Sequence, residues 1–309
     1  MKHFINLKDI PANDLRKIIT EAKKRKSARK KSSTLDSDKD QPLKGKLFIQ
    51  MYEKQSSRTR LSFHTAISQL GAGSITVKAS ELHLGKGGES LSDTAKILST
   101  YGDAFLLRTD NDKKIEKFIK NLTIPLVNLL SPSSHPCQVL SDIFTVEEIK
   151  KKPISKLKIC WIGDCNNVLN SLIAASVKFK FKLSIGCPKN YSPPKFVLDW
   201  VRQNKRKINI FNDPKKAARN ADVVFSDKVI SLNDRVNKAK KMKDFKNFKI
   251  NSSLMKVTNA GSIFLHCLPR GNEVEEKVFL SKKSKVWQQA LNRVHVQKSI
   301  LLYCFNKLG

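Results

Sequence analysis

The sequence predicts an α/β fold of two doubly wound domains, with parallel sheets and a cleft between the domains. β-like and helix-like segments alternate through most of the 309 residues, and the alternation starts again past residue 156. Polar clusters follow most of the predicted strands. With 40% hydrophobic residues, the chain can form two packed cores. We expect domains at 1–150 and 151–309, with the C-terminal helix packing back on the first.

The first half opens with an amphipathic helix and continues with four strand candidates. Leu15, Ile18, Ile19 and Ala22 fall at helical spacing, and the lysine-rich run 23–31 closes this helix with cations, which suit its negative end. Ser90 and Asp93 form a capping-box pattern farther on. The predicted strands are Leu47–Met51, Ser74–Val77, Ala104–Leu107 and Pro125–Leu129, and the helices that follow are Leu61–Leu70, Leu91–Tyr101 and Gln138–Lys150.

The second half repeats this rhythm after a linker at Lys151–Lys156. Pro153 in that linker discourages helix continuation. The predicted strands are Leu157–Ile162, Lys182–Ile185, Asn209–Phe211, Ala221–Phe225 and Ser262–Leu265, and the predicted helices include Val168–Lys178 and Gln289–Phe305.

The formal charge of +32 raises the question of nucleic-acid binding. Only 12 of the 59 basic residues are arginine, and the lysines are scattered along the chain, which indicates a lysine-rich surface instead. The chain contains no run of about 18 apolar residues and no signal-peptide core, so we expect a cytoplasmic protein that binds neither nucleic acid nor membrane.

Six cysteines without CxxC pairs predict neither a disulfide nor a structural metal. Since Walker-type phosphate loops and acidic metal clusters are also missing from the sequence, we expect no cofactor and no ATP–Mg²⁺ chemistry.

The segment Ser56-Ser57-Arg58-Thr59-Arg60 follows the first predicted strand and precedes a helix. A helix N-terminus presents backbone N–H groups and a positive dipole end, so added hydroxyls and guanidinium groups favour a phosphate-like anion. An N-capped surface helix with solvated arginines is the alternative.

Polar residues from the two halves differ in chemistry. The first half supplies cations and donors after its strands, in Arg58, Arg108, His135 and Gln138, which suit a phosphate and a neighbouring carbonyl oxygen. The second supplies amides and acceptors, in Asn166, Asn167, Asp227 and Ser231, which suit an amino compound. Because ligands of open α/β sheets bind beyond the carboxyl ends of the strands, this division predicts group transfer from a phosphate donor to an amine.

Each of these residues also has an ordinary structural interpretation. His135 could belong to a turn, the pair Asn166-Asn167 could cap the next helix, and Cys267 could be a small buried hydrophobe. The loop Gly85–Gly88 could cradle a phosphate, although such loops are more often simply flexible.

Four motifs in this order resemble the ornithine carbamoyltransferases of the aspartate/ornithine transcarbamoylase family. They are Ser-Ser-Arg-Thr-Arg at 56–60, His-Pro-Cys-Gln at 135–138, Gly-Asp-Cys-Asn-Asn at 163–167 and His-Cys-Leu-Pro at 266–269. The resemblance covers nearly the whole chain. Cys267-Leu268, and Asp227 with Ser231, indicate the ornithine branch over the aspartate branch.

This resemblance implies an enzyme of arginine biosynthesis that uses carbamoyl phosphate and L-ornithine and assembles as a homotrimer or a multiple of trimers. It implies catalytic roles for Arg58, Arg108, His135, Asp227 and Cys267. Carbamoyl phosphate would contact Ser56, Ser57, Arg58, Thr59, Arg108, His135, Gln138, Cys267, Leu268 and Arg293. Ornithine would contact Asn167, Asp227, Ser231 and Leu232, and His83 and Lys86 would reach a neighbouring subunit.

The chain departs from the family pattern in three places. Ser231-Leu232-Asn233 stands where Ser-Met-Gly is usual, Ser57 replaces Thr, and the stretch 85–89 is one residue longer. Leucine for methionine keeps an apolar wall of similar volume. The alternatives left open are a nucleic-acid-binding protein, a catalytically silent relative, and a sibling enzyme acting on putrescine or N-acetylornithine.

Overall fold

Two parallel β-sheets organise the chain, one in each of two units. The computed structural model describes residues 1–78, 88–230 and 237–309. Unit 1 comprises Met1–Phe144 and Leu291–Gly309, and unit 2 comprises Thr145–Ala290. The predicted α/β class with two parallel sheets is confirmed.

The sheet of unit 1 has four strands in the order β2-β1-β3-β4, and each pair is parallel. Its strands β1, β3 and β4 are buried along most of their length, as expected for a parallel sheet covered on both faces. The bounds are β1 Leu47–Tyr52, β2 Gly73–Lys78, β3 Ala104–Arg108 and β4 Leu126–Leu130, with helices α1 Ala12–Ala28, α2 Ser57–Gln69, α3 Leu91–Tyr101, α4 Asp112–Asn121 and α5 Pro136–Lys150.

The sheet of unit 2 has five parallel strands in the order β7-β6-β5-β8-β9. The strands are β5 Lys158–Ile162, β6 Lys182–Gly186, β7 Asn209–Phe211, β8 Val223–Ser226 and β9 Ile263–His266. The helices are α6 Asn167–Phe179, α7 Lys195–Gln203, α8 Pro214–Ala218, α9 Lys238–Asp244, α10 Ser252–Lys256, α11 Glu276–Phe279 and α12 Val286–Cys304, of which the last runs into unit 1 from Leu291 onward. No described helix is both long and apolar enough to cross a membrane.

Side-chain caps explain where several helices begin. Ser90, Asn111, Asn166, Asp213 and Asn251 each accept a hydrogen bond from a backbone N–H in the first turn of the helix they precede. Such a bond satisfies an N–H that has no partner inside the helix. The capping box at Ser90 and Asp93 is confirmed, since the Ser90 hydroxyl accepts from the Asp93 N–H at 3.1 Å.

Several predicted bounds were wrong by a few residues. Helix α2 begins at Ser57 and not at Leu61, so the Ser-Arg-Thr-Arg segment forms its first turn. Strand β3 extends to Arg108, which the sequence placed just after the strand. Strand β8 begins at Val223 and not at Ala221, because the Asp222 carboxylate accepts from the Lys158 N–H and Ala221 closes a turn.

A buried ionic cluster ties the segment 32–41 to two helices of unit 1. Asp38 is 8% exposed and pairs with Arg25 of α1 at 2.8 Å, with Arg29 at 2.9 Å and with the fully buried Lys298 of α12 at 2.9 Å. Burial alone would raise the pKa of Asp38, but the hydrogen bonds from Lys298, Arg25 and Arg29 hold it below its usual value. Burial lowers the pKa of Lys298 to about 8.

We predict that Asp38→Asn destabilises unit 1, because it leaves a buried ammonium beside two guanidinium groups without their shared carboxylate. The free energy of unfolding should fall by about 3 kcal/mol or more. Hydrogen exchange in α1 peptides, measured by mass spectrometry, should therefore become roughly a hundredfold faster.

Asp40→Asn is the matched control for this prediction. Its carboxylate also pairs with Arg25 at 2.8 Å, but its side chain is 58% exposed, so we expect a change below about 1 kcal/mol. Equal exchange rates in the two variants would contradict the role assigned to Asp38.

Candidate active site

The cationic residues of unit 1 meet at the carboxyl ends of β1, β3 and β4. These three strands are neighbours in the sheet and run in the same direction, so the segments that leave them lie together. Helix α2 follows β1 after a short loop, and helix α5 follows β4. Two helix N-termini therefore start at the edge where the arginines converge.

Arg108 is fixed at the end of β3 beside the start of α2. Its Nη1 donates to the Ser56 hydroxyl at 3.0 Å, and Ser56 is the extended residue that precedes α2. The strand register pairs Arg108 with Tyr52 at the end of β1. The buried Nε of Arg108 has no hydrogen-bond partner within residues 1–78, 88–230 and 237–309.

Arg293 of α12 joins α2 to α5. Its Nη2 donates to the Thr59 hydroxyl at 2.7 Å, and its Nη1 donates to the side-chain oxygen of Gln138. The Gln138 amide in turn donates to the buried Asp142 at 2.8 Å, which fixes the orientation of the amide. The guanidinium group is thus oriented by two neutral side chains.

His135 lies in the segment between β4 and α5, and Asn128 of β4 braces that segment. The Asn128 amide donates to the Ser134 hydroxyl at 3.0 Å, and the Cys137 thiol donates to the Asn128 carbonyl oxygen at 3.4 Å. His135 itself is 5% exposed. The segment that carries His135 is therefore held by hydrogen bonds on both sides of this residue.

The electrostatics of this site follow from crowded positive charge. Burial, with the charges of Arg293, Arg108 and Arg58, lowers the pKa of His135 well below its usual value, so the imidazole is neutral at pH 7. Burial, Arg293 and Arg58 also lower the pKa of Arg108. An added anion would relieve this repulsion.

Tyr52 and Gln50 also belong to this site, although none of the sequence motifs includes them. Burial raises the pKa of Tyr52 although Arg293, Arg60 and Arg108 act against it, so the phenol stays neutral. Its hydroxyl donates to the Gln50 side-chain oxygen at 2.8 Å. The buried Nε2 of Gln50 has no partner among the described residues. Two polar side chains at alternate positions of an otherwise apolar strand were the available signal.

The amide and carboxylate residues of unit 2 meet at the carboxyl ends of β5, β8 and β9, which are also neighbours. Asn166 caps α6 through its side-chain oxygen, and its amide donates to the Asp227 carboxylate at 2.8 Å. The capping alternative for Asn166 is therefore confirmed, and the same side chain orients Asp227. Asn167 is the first residue of α6.

A histidine–carboxylate pair supports the segment after β9. His266 Nδ1 accepts from the Leu268 N–H at 2.9 Å, so the hydrogen of the neutral ring lies on Nε2, which donates to Glu273 at 3.0 Å. Leu268 has a positive φ of 56°, an uncommon conformation that these bonds support. Cys267, between His266 and Leu268, is partly exposed.

Asp227 is the acceptor of this site, and its pKa is raised above its usual value. Burial is the largest cause and the nearby Glu273 adds to it, while His266, the Lys228 N–H and the Asn166 amide oppose it. A bound ammonium or amine would supply the donor that favours the charged carboxylate.

The structure brings together most of the predicted residues in two groups. Unit 1 gathers Ser56, Ser57, Arg58, Thr59, Arg108, His135, Gln138 and Arg293, and unit 2 gathers Asn167, Asp227, Cys267 and Leu268. Ser231, Leu232, His83 and Lys86 lie outside the described residues. The role of each residue stays a prediction.

Comparisons with known proteins agree with this division. Residues 2–148 match the family model "Aspartate/ornithine carbamoyltransferase, carbamoyl-P binding domain", and residues 155–304 match "Aspartate/ornithine carbamoyltransferase, Asp/Orn binding domain". An ornithine carbamoyltransferase of Brucella suis is 38% identical over 311 residues, covering 100% of this chain and 97% of the relative.

Solved structures are similar along nearly the whole chain. The ornithine carbamoyltransferase from Pyrococcus furiosus has a TM-score of 0.90 and 35% identity, covering 97% of this chain and 96% of its own. The anabolic ornithine carbamoyltransferase from Campylobacter jejuni has a TM-score of 0.90 and 32% identity, covering 99% of this chain and 100% of its own. Matches to both domain models and to full-length relatives together place this chain in the aspartate/ornithine carbamoyltransferase family.

Proposed function

We propose that this enzyme transfers the carbamoyl group of carbamoyl phosphate to the δ-amine of L-ornithine, giving L-citrulline and phosphate. The observations that carry the proposal are two groups of side chains: arginines and a neutral histidine converge in unit 1, and a partly exposed carboxylate lies with amides in unit 2. A phosphate dianion needs the cationic environment, and an amino compound needs the environment of carboxylate and amides.

The phosphate is the ligand that we assign to the first turn of α2 and to the arginines. Ser57, Arg58 and Thr59 offer backbone N–H groups and side-chain donors, and Arg108 and Arg293 add fixed guanidinium groups. Guanidinium groups bind phosphate oxygens with paired N–H donors. The neutral His135 can then donate to the carbamoyl oxygen without adding a full charge.

Ornithine is the ligand that we assign to Asn167, Asp227 and the segment Cys267-Leu268. The amine must lose its proton before it can attack, because its ordinary pKa is close to that of lysine. A carboxylate whose pKa is already raised can orient the amine and share its proton, and Cys267 lies next to the His266 that supports this segment.

The reaction forms one bond and breaks another. The amine nitrogen attacks the carbamoyl carbon, and the carbonyl oxygen becomes an oxyanion that Arg58, Arg108 and His135 stabilise. The carbon–oxygen bond to phosphate then breaks, phosphate leaves with the electron pair, and the nitrogen passes its proton to the departing phosphate. The arginines therefore bind a negatively charged phosphate group throughout the reaction, first as part of the substrate and then as the departing product.

We also propose a homotrimer and a role in arginine biosynthesis. Both proposals rest on the family, and the Campylobacter jejuni relative is named anabolic. Size-exclusion chromatography with light scattering would measure the assembly. A product assay with ornithine, putrescine, N-acetylornithine and aspartate identifies the amine substrate, and citrulline should be the main product.

We predict that Arg58→Gly abolishes citrulline formation, because it removes charge and a donor from the phosphate site. Phosphate binding measured by calorimetry should weaken at least about tenfold, as expected for a lost charge-assisted hydrogen bond.

The arginine control is Arg202→Gln in α7, whose side chain is 65% exposed and pairs with Asp199 on the surface. We expect activity close to wild type for this control. Near-normal activity in Arg58→Gly would remove Arg58 from the anion site.

We predict that Asp227→Asn raises KM for ornithine and lowers kcat, while the dissociation constant for carbamoyl phosphate stays within about twofold of wild type. Steady-state kinetics and calorimetry measure the two effects separately. Asp199→Asn, on the surface of α7, is the carboxylate control. Unchanged ornithine kinetics in Asp227→Asn would exclude the assigned role.

A further inference from the structure

A nearly buried carboxylate joins two of the loops that form the candidate anion site of unit 1. Glu53 directly follows Tyr52, the last residue of β1, and its side chain is 8% exposed. Arg108 is the last residue of β3, which lies next to β1 in the sheet. The loop from β1 to α2 and the loop from β3 to α4 therefore begin side by side, and Glu53 is the first residue of the β1–α2 loop.

Both the main chain and the side chain of Glu53 bind the loop that follows β3. The Glu53 N–H donates to the Arg108 carbonyl oxygen at 3.0 Å. Its Oε2 accepts from the Thr109 hydroxyl at 2.6 Å and from the Asp110 N–H at 3.2 Å. Its Oε1 accepts from the Lys114 ammonium of α4 at 2.5 Å. Glu53 thus contacts Arg108 and both of the residues that come directly after it.

These bonds hold Arg108 at its main chain, and a second bond holds its side chain. The Arg108 carbonyl oxygen accepts from Glu53, and its Nη1 donates to the Ser56 hydroxyl at 3.0 Å. Glu53 and Ser56 belong to the same short loop. The register between β3 and β4 shifts between Leu107 and Arg108, and such an irregularity weakens the hold of the sheet on the residue. The β1–α2 loop is therefore the main support of Arg108.

The carboxylate of Glu53 binds the loop and not the guanidinium group. Among the described residues, its donors are Thr109, Asp110 and Lys114. A carboxylate that paired with Arg108 would compete with a bound anion for the same N–H groups, whereas a carboxylate that binds the adjoining loop leaves those groups to the anion. The buried Nε of Arg108 has no hydrogen-bond partner in the described part of the chain.

We propose that Glu53 is a positioning residue, which sets the affinity of the site for phosphate by fixing Arg108. This inference rests on the proposed function, because it takes Arg108 as a ligand of the phosphate group. Thr109 connects the two residues: it is 1% exposed, its hydroxyl donates to Glu53, and its N–H donates to the Leu130 carbonyl oxygen at 3.1 Å. Loss of the carboxylate releases Thr109 and, with it, the main chain of Arg108.

Glu53→Gln tests the positioning role. Glutamine offers one acceptor oxygen, and its NH2 group would face a donor, so the side chain cannot satisfy all three donors. We expect the dissociation constant for inorganic phosphate, measured by calorimetry, to rise about tenfold, as for one weakened charge-assisted hydrogen bond. KM for ornithine at saturating carbamoyl phosphate should stay within about twofold of wild type, a difference between the two substrates that a general loss of structure would not produce.

Glu116→Gln is the matched control, because this glutamate is exposed on α4, the helix that carries Lys114. We expect it to bind phosphate as wild type does. A dissociation constant for phosphate in folded Glu53→Gln equal to that in Glu116→Gln would overturn the proposal.

Two variants of Thr109 test the same role while the Glu53 carboxylate stays in place. Thr109→Ser retains the hydroxyl that donates to Glu53, so its dissociation constant for phosphate should stay within about twofold of wild type. Thr109→Val replaces the hydroxyl with a methyl group and should raise this constant about fivefold, as for one lost hydrogen bond. Equal constants in the serine and valine variants would overturn the proposal even if Glu53→Gln does not fold.

Hydrogen exchange measured by mass spectrometry tests the contact without any ligand. In Glu53→Gln, peptides that cover 104–111 should exchange at least about tenfold faster, and α12 peptides should match wild type. This readout depends neither on phosphate binding nor on carbamoyl transfer. Wild type that binds no phosphate would therefore count against the proposed function, while the exchange rates would still test Glu53. Unchanged exchange in 104–111 would overturn the inference.

Discussion

The crowding of arginines around a buried neutral histidine is the constraint on which the rest of unit 1 depends. Arg58, Arg108 and Arg293 all lower the pKa of His135. Thr59, Gln138 and Ser56 orient two of these arginines through hydrogen bonds. The site therefore carries a positive electrostatic potential, which favours the binding of a dianion.

A second cluster in the same unit consists of cations that surround a carboxylate. Arg25, Arg29 and Lys298 share the carboxylate of Asp38, and Arg25 also pairs with Asp40. The cations of this second cluster have carboxylate partners, and the cluster joins α1 to α12. It therefore stabilises the fold.

Unit 2 uses the same topology with different chemistry. Its parallel strands also bring three loops to one edge, but these loops present Asp227, Asn166 and the His266–Glu273 pair. Burial raises the pKa of Asp227, which makes its carboxylate responsive to a bound amine. The side chains that come after the strands therefore determine which class of ligand binds, and the fold determines where in each unit it binds.

Much of this arrangement could be predicted from the sequence, because strand–helix alternation and capping residues are local signals. Leu91–Tyr101 and Asn209–Phe211 were predicted with their observed bounds. The start of α2 could not be predicted, since Ser57 and Thr59 are weak helix formers, and their place in the first turn depends on the surrounding structure. The place of Tyr52 and Gln50 in the site depends on strand order, which local patterns do not contain.

The pKa of His135, measured by NMR in the free protein and with saturating phosphate, shows whether the arginines around this histidine form an anion site. We expect the free imidazole to titrate well below its ordinary range and phosphate to raise this pKa, because a dianion offsets the guanidinium charges. His135→Gln would assign the signal. An ordinary pKa that phosphate leaves unchanged would show that the arginines do not form an anion site around His135.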